Sequence, residues 1–350
     1  MEVLAEIRYQ KIRPIGVGQG MNSEVFLAFD PQLSGEIAVK EIQKSNLGNS
    51  PASFFDEAGL MFASTHPNVV PLHYACNTAA QISVAMPYYQ RGSLKSRIEA
   101  GPLRPKECLR VGHGVLLGLT QIHLRNILHL DIKPSNVLFD DVDKPLVGDF
   151  GQARTQSSSG VVSAPRMYRL AFPPETLQTS RATVQSDIYQ AGLLLYRAVN
   201  GDPYYEAQIP PRAELESKIV SGRFPNRDAF MPHVPRRLRT VIRKALQVSP
   251  VERYHSAAEM SDALAKVEIA LDWKVSSSAS GDLTWRAVRE DRPDFVVELS
   301  NSGTGEWSVN VYTARGAEVR AKCPDRYRRE GLNRKEADRH LKTVFAELSG

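Results

Sequence analysis

Along residues 8–90, short apolar runs alternate with turn-forming residues. EVFLAFD (24–30) and EIAVKEI (36–42) have the alternation of strands and flank a turn bounded by proline and glycine at 31–35. SFFDEAGLMFAST (53–65) carries apolar residues at helical spacing, and QISVAMPYY (81–89) reads as a further strand. From about residue 93 the period changes. KECLRVGHGVLLGLTQIHLR (106–125), SDIYQAGLLLYRAV (186–199) and RRLRTVIRKALQ (236–247) predict helices that are buried or amphipathic. The chain is therefore strand-rich first and helix-rich afterwards.

A third pattern follows. KVSSSASGD (274–282) is polar and small, as linkers are. Beyond it FVVELS (295–300) and EWSVNVYTA (306–314) read as strands joined by the turn NSGTG (301–305). RKEADRHLKTVFAEL (334–348) predicts a terminal helix. These elements suit a small α+β module, and no internal repeat is visible.

Composition adds bounds. A chain of 350 residues accommodates one large domain and a small one. Its net charge of +5 favours phosphates or acidic surfaces without implying nucleic acid. Cys76, Cys108 and Cys323 are odd in number and far apart, which fits reduced thiols and neither a disulfide framework nor a zinc site. The opening MEVLAEIRYQ has acidic residues and lacks the apolar segment of a signal peptide. The apolar stretches at 115–119 and 191–196 are too short to span a bilayer. A soluble, cytoplasmic protein with no membrane partner is expected.

Four segments carry candidate chemistry, in an order that suits phosphoryl transfer from ATP. The first is Gly18-Gln19-Gly20-Met21-Asn22-Ser23-Glu24-Val25, where glycines let a strand–turn–strand approach phosphate. A plain glycine-rich hairpin would look the same. Its place between strands argues against a dinucleotide fingerprint. The second is Lys40 in AVKE, with Glu57 on the next helix as its candidate partner. The third is HLDIKPSNVLFDD, in which Asp131 could orient a substrate hydroxyl, Lys133 neutralise the transferring phosphate and Asn136 hold a metal. The fourth is Gly148-Asp149-Phe150-Gly151, thirteen residues past Asn136, with Asp149 as the main magnesium ligand. Each alone is an ordinary loop; together and in this order they are specific.

Residues 8–268 resemble the protein-kinase family, in particular the eukaryotic-like (Hanks-type) serine/threonine kinases of bacteria. The resemblance implies an α+β, bilobal fold, with a small β-rich lobe, a large helical lobe and ATP between them. A linker at 269–282 and the α+β module at 283–350 would follow. It implies ATP contacts at Gly18, Gly20, Ser23, Val25, Ala38, Lys40, Met86, Pro87 and Tyr89. Lys40 resembles the phosphate-binding lysine, and Glu57, nine residues before HPNVV, its helix partner. Met86 falls at the gatekeeper, and Pro87-Tyr88-Tyr89 at the hinge. Asp131, Lys133, Lys40 and Glu57 would form the catalytic set, and Asn136 and Asp149 the site for Mg2+, or Mn2+ in its place. Pro173-Pro174-Glu175 resembles the APE motif, Asp187 the aspartate bracing the catalytic loop, and Arg253 the buried arginine; these would support the fold. Lys133, two residues after Asp131, resembles serine/threonine kinases, with protein as substrate.

The chain departs from the family at three places. Ser23 stands at the third glycine position. Leu130 replaces an arginine that commonly binds a phosphorylated activation loop, so phosphorylation at Thr155, Ser157, Ser158, Ser159 or Ser163 is not expected to be the on-switch. Met167-Tyr168 lies where a Gly-Thr pair is usual, which puts substrate geometry in doubt. The alternatives are a pseudokinase scaffold, a kinase of small molecules, and a sensor kinase gated by nucleic acid through the module. For the last, basic residues of 314–342 lie near Trp285, Trp307, Tyr312 and Tyr327, but acidic residues interleave and aromatic residues at such positions are more often core.

Overall fold

The computed structural model describes residues 6–16, 23–46, 55–165, 169–303, 305–316 and 318–349. Gly18, Gly20, Met167 and Tyr168 lie outside the described residues. The chain divides into two compact units. One holds Met1–Lys95, Gly114–Ala191 and Tyr254–Ala258; the other holds Ser96–His113, Gly192–Arg253 and Glu259–Gly350. The architecture is α+β.

In the first unit a five-stranded antiparallel sheet runs, in spatial order, Gln10–Ile15, Ser23–Asp30, Gly35–Gln43, Gln81–Pro87 and Tyr74–Asn77. Directly opposed residues share a face, and the register sets Val25 against Lys40, Leu27 against Ala38, Lys40 against Val84 and Ala38 against Met86. Val25, Ala38, Lys40 and Met86 thus lie on one face. The other face carries Ala28, Ile37, Val39 and Ala85, packed with Tyr9 and Tyr74. Asp30 closes the turn before Gly35: its Oδ1 accepts the N–H groups of Gln32 and Leu33 at 2.8 and 3.0 Å, and its Oδ2 accepts the Tyr74 hydroxyl at 2.7 Å. The helix Asp56–Ala63 follows. The later half of Pro105–Leu124 crosses so close to Asn68 that a Cβ on Gly118 would sit 2.6 Å from the Asn68 carbonyl oxygen.

In the second unit, helices pack around Tyr196, whose hydroxyl donates to the carbonyls of Asn226 and Ala229. Helix Val184–Asn200 meets Arg236–Ala245 at Gly192, where a Cβ would lie 2.6 Å from that of Ala245. The C-terminal part belongs to this unit. Six antiparallel strands include Trp273–Ser277, Leu283–Ala287, Asp294–Asn301 and Trp307–Arg315 in consecutive order, with Glu318–Lys322 and Arg329–Leu332 both pairing with Trp307–Arg315. Helix Arg334–Ser349 packs on this sheet through Ala337, Leu341, Val344 and Phe345, all buried. It is started by a reciprocal cap: Asn333 Oδ1 accepts Glu336 N–H and Glu336 Oε2 accepts Asn333 N–H, both at 3.0 Å.

The segment 269–282 is not the linker its composition suggests. Trp273–Ser277 is an edge strand of the C-terminal sheet, and only 278–282 form its hairpin. An edge strand with one wet face needs few apolar residues, here Trp273 and Val275, so it reads as polar. The aromatic side chains named for nucleic acid are also placed otherwise. Trp285 is fully buried and Tyr327 nearly so, while Trp307 lies under the Arg334 guanidinium, 4.6 Å from its ring centroid. Trp285 donates its N–H to His233 Nδ1 at 3.0 Å, and Trp273, Trp285 and His233 all pack around Phe345.

Candidate active site

All the described candidate catalytic, ATP-binding and metal residues fall within the first unit. Lys40 reaches from the Gly35–Gln43 strand to Glu57 Oε1 and Asp149 Oδ1, both at 2.7 Å. Glu57 sits in the first turn of its helix, where a carboxylate suits the local N–H groups. Burial favours the neutral lysine, but the two carboxylates outweigh it and hold the Lys40 ammonium charged well above its ordinary range. Burial raises Glu57 despite Lys40, whereas for Asp149 the pull of Lys40, and then of Lys133, overcomes burial and holds its carboxyl below the usual range.

The thirteen-residue spacing between Asn136 and Asp149 has a simple cause. Val137–Phe139 pairs with Pro145–Val147 as a short hairpin, and its turn is closed by Asp140, which accepts Lys144 N–H at 2.7 Å. The two ends must then meet, and Gly148 N–H donates to Asn136 O at 2.9 Å. Asp149 follows in a left-handed conformation, φ 62°. Phe150, buried, packs edge-on against His129 at 5.0 Å.

Asp131 is 5 % exposed, and its two oxygens differ. Oδ2 accepts Lys133 Nζ at 2.7 Å and Asn136 Nδ2 at 2.9 Å. Oδ1 is buried with no hydrogen-bond partner among the described residues. Such an atom is costly unless something donates to it, and none of the described residues does. Burial raises the Asp131 carboxyl above the ordinary aspartate range, with Lys133 opposing.

The segment bearing Asp131 hangs on buried side chains of helix Val184–Asn200. Asp187 accepts the N–H groups of His129 and Leu130 at 2.9 and 2.7 Å, and His123 Nε2 at 2.8 Å. His129 donates from Nε2 to Gly148 O at 3.1 Å, which joins the segment to Asp149. Burial holds the His129 imidazole below its usual range and so neutral. Leu130, also left-handed at φ 62°, is buried with Leu128, Val162 and Ala182, and Ala164 and Phe172 pack on that cluster.

The remaining residues are placed as follows. Ser23 and Val25 begin the second strand, Ser23 opposite Ile42. Met86 and Pro87 end the Gln81–Pro87 strand. Tyr89 follows, half-buried, its phenol pushed up to about 12 by burial and then by Asp140 and Asp141. Pro174 opens the helix Pro174–Thr179, and Glu175 accepts Ser186 Oγ at 2.7 Å. Arg253, buried, donates to the carbonyls of Gln247 and Val248 at 2.7 and 3.0 Å.

For a metal, Asp149 and Asn136 offer oxygen, the donor magnesium prefers. Asn136 commits its amide nitrogen to Asp131, which leaves Oδ1, an acceptor of the Ser135 hydroxyl at 3.2 Å, as the atom that would serve a metal. Among the described residues no group of three or more His, Cys, Asp or Glu is placed to hold a metal. Two protein ligands fit an ion that phosphate oxygens and water complete.

Sequence reasoning missed His123, His129 and Gln190, which carry the network behind Asp131. Gln190 had a signal: with Asp187 it makes a polar i, i+3 pair on an otherwise apolar helix face.

A sheet bearing a buried lysine, a helix presenting its glutamate, and two loops converging on Asp131 and Asp149 define a protein kinase domain. The protein kinase domain model matches residues 9–264, and the chain belongs to the protein kinase family. It is similar to the serine/threonine-protein kinase PrkC of Bacillus subtilis, at 31 % identity over 270 residues, covering 76 % of this chain and 41 % of that protein. It is also similar to the probable serine/threonine-protein kinase PknB of Lactococcus lactis, at 30 % over 263 residues, covering 72 % of this chain and 41 % of the relative. PknD of Chlamydia caviae, a serine/threonine-protein kinase, is 29 % identical over 286 residues, covering 72 % of this chain and 30 % of that protein. The chain spans about two fifths or less of the length of these relatives.

Proposed function

We propose that this chain is a serine/threonine protein kinase that transfers the γ-phosphoryl group of Mg-ATP to a protein hydroxyl. The observation that carries the reading is the joint state of two carboxylates: Asp149 engaged with Lys40, and Asp131 with one buried oxygen that no described residue bonds. A substrate hydroxyl donating to Asp131 Oδ1 is aimed for in-line attack on the γ-phosphorus. The new oxygen–phosphorus bond forms as the bond to the β–γ bridging oxygen breaks, ADP leaves, and the hydroxyl proton passes to Asp131. Lys133, already against Asp131, offsets charge on the transferring group. Lys40 positions phosphate, held by Glu57. Asp149 and Asn136 would hold magnesium, which supplies charge neutralisation on the phosphates when bound.

The face shared by Val25, Ala38 and Met86 is the apolar seat for adenine, with Ser23 toward the phosphates and the backbone at Pro87 and Tyr89 as its polar edge; Gly18 and Gly20 keep the phosphate role that their motif implies. Lys133 supports serine or threonine as acceptor. Three free thiols support a cytoplasmic setting for these residues, and among the described residues no helix is long and apolar enough to cross a membrane. The burial of Leu130 against Val162 supports activity without loop phosphorylation. That part falls if alanine at Thr155, Ser157, Ser158, Ser159 and Ser163 together abolishes transfer while ATP binding persists.

The test is labelled-phosphate transfer from Mg-ATP to the chain itself and to a basic protein. Incorporation on serine and threonine that Asp131→Ala and Asp149→Asn both lose is expected. Incorporation that survives both changes, or none from the unaltered chain, refutes the reading.

A further inference from the structure

We propose that Gln190 is a positioning residue for Asp131, fixing the two peptide planes on either side of it and tying them to the turn Arg169–Ala171. Gln190 is fully buried on helix Val184–Asn200, three residues after Asp187. Its Oε1 accepts the N–H of Ile132 at 3.0 Å, and its Nε2 donates to the carbonyl of Leu130 at 3.1 Å. These groups belong to the peptide units immediately before and after the Asp131 Cα. The orientations of those planes are the φ and ψ of Asp131. One carboxamide therefore sets both dihedrals, and with them the direction in which the carboxylate leaves the chain.

The constraint has work to do. The neighbouring Leu130 sits at φ 62°, a region in which a bulky residue is strained and persists only when its surroundings over-determine it. Asp187 holds the N–H of Leu130 at 2.7 Å, apolar packing holds its side chain, and Gln190 holds its carbonyl. Asp187 reaches no group beyond Leu130 in this loop. Gln190 is the side chain that passes the restraint across Asp131 to Ile132. Its third bond, from Nε2 to the Ala171 carbonyl at 3.2 Å, links the loop to the short helical turn just ahead of Pro173. Only a terminal amide offers an acceptor and two donors in one plane at this reach.

The inference rests on the kinase reading, so the experiment reads activity and structure separately. In Gln190→Leu, close in volume and without polar atoms, the full chain is assayed for kcat and ATP KM per nucleotide-binding site, and for hydrogen exchange over residues 129–133. Exchange at Ile132 is expected to rise, kcat to fall about 10- to 100-fold, and ATP KM to stay within about twofold. Gln190→Glu supplies the rescue. Its neutral carboxyl keeps an acceptor and one donor, so kcat is expected between wild type and Gln190→Leu at low pH. It declines further as pH rises, because an ionised carboxylate would face the carbonyls of Leu130 and Ala171. Unchanged exchange at Ile132, or raised exchange with kcat within threefold of wild type, overturns the proposal. A wild-type chain with no transfer refutes the kinase reading instead, while exchange still reports whether Gln190 holds the loop.

Discussion

The segment around Asp131 and the C-terminal sheet bury their side chains by opposite rules. Around residues 129–136 the interior is polar: His129, Asp131, Asn136, Asp187 and Gln190 are all buried, and each is hydrogen-bonded. In the C-terminal sheet the interior is apolar, built from Trp273, Trp285, Val297, Leu299, Val309, Val311 and the Phe345 face of the last helix. Its principal buried polar contact is the bond from Trp285 to His233. Polar networks cost desolvation and demand specific partners, so each residue there is bound to a type and a position. Apolar packing accepts many residues of similar volume. The first region should fail in rate while keeping its fold, and the second in fold while each folded molecule keeps its rate.

The sharpest break of that contrast is Asp131→Ala. kcat should fall by about 10² to 10⁴, with melting temperature moved by only a few degrees, since a carboxylate whose burial favours its neutral form is being removed. A thermal shift and a rate on the same sample check both halves. Phe345→Ala is the mirror image. Three aromatic rings lose their shared partner, and the truncation should cost about 3–5 kcal/mol in denaturant unfolding, with kcat per nucleotide-binding site unchanged. A drop in that normalised kcat would show that the C-terminal sheet feeds into catalysis.

Lys133→Ala sharpens the polar side. Asp131 must be ionised to take the proton, so activity is lost as pH falls through its raised value, above the ordinary aspartate range. Lys133 opposes that rise, and without it the acid limb of the kcat profile should move further toward neutral pH, with kcat on the plateau down about 10²-fold. An unmoved limb would remove Asp131 as the titrating group. The smallest effect is expected at Asn333→Ala. Loss of the reciprocal cap with Glu336 should cost about 1 kcal/mol of stability and leave the kinetics alone.

Legibility followed the same division. The strands Ser23–Asp30 and Gly35–Gln43 and the helices Pro105–Leu124 and Arg334–Ser349 stand within a residue or two of where hydrophobic period places them. Asp131, Asn136 and Asp149 were visible because their motifs resemble those of protein kinases, and a hairpin of set length separates Asn136 from Asp149. Gln190 and His129 were given no role, since Gln190 carries only its polar spacing from Asp187 and His129 only its place at the head of the Asp131 motif. Trp273–Ser277 was hidden by its wet face, and Glu318–Lys322 and Arg329–Leu332 by their charge.

Sequence by itself determined the strand-rich then helix-rich order and, through motifs that resemble the protein-kinase family, the α+β class and the candidate site residues, because periodicity and motif spacing are local properties of the chain. Tertiary structure alone decided which oxygen of Asp131 the described residues leave unpartnered, that Leu130 is buried against Val162, and that one glutamine amide brackets Asp131. The glutamine bonds join positions about sixty residues apart, and no local pattern encodes the cost of leaving a buried polar atom unbonded.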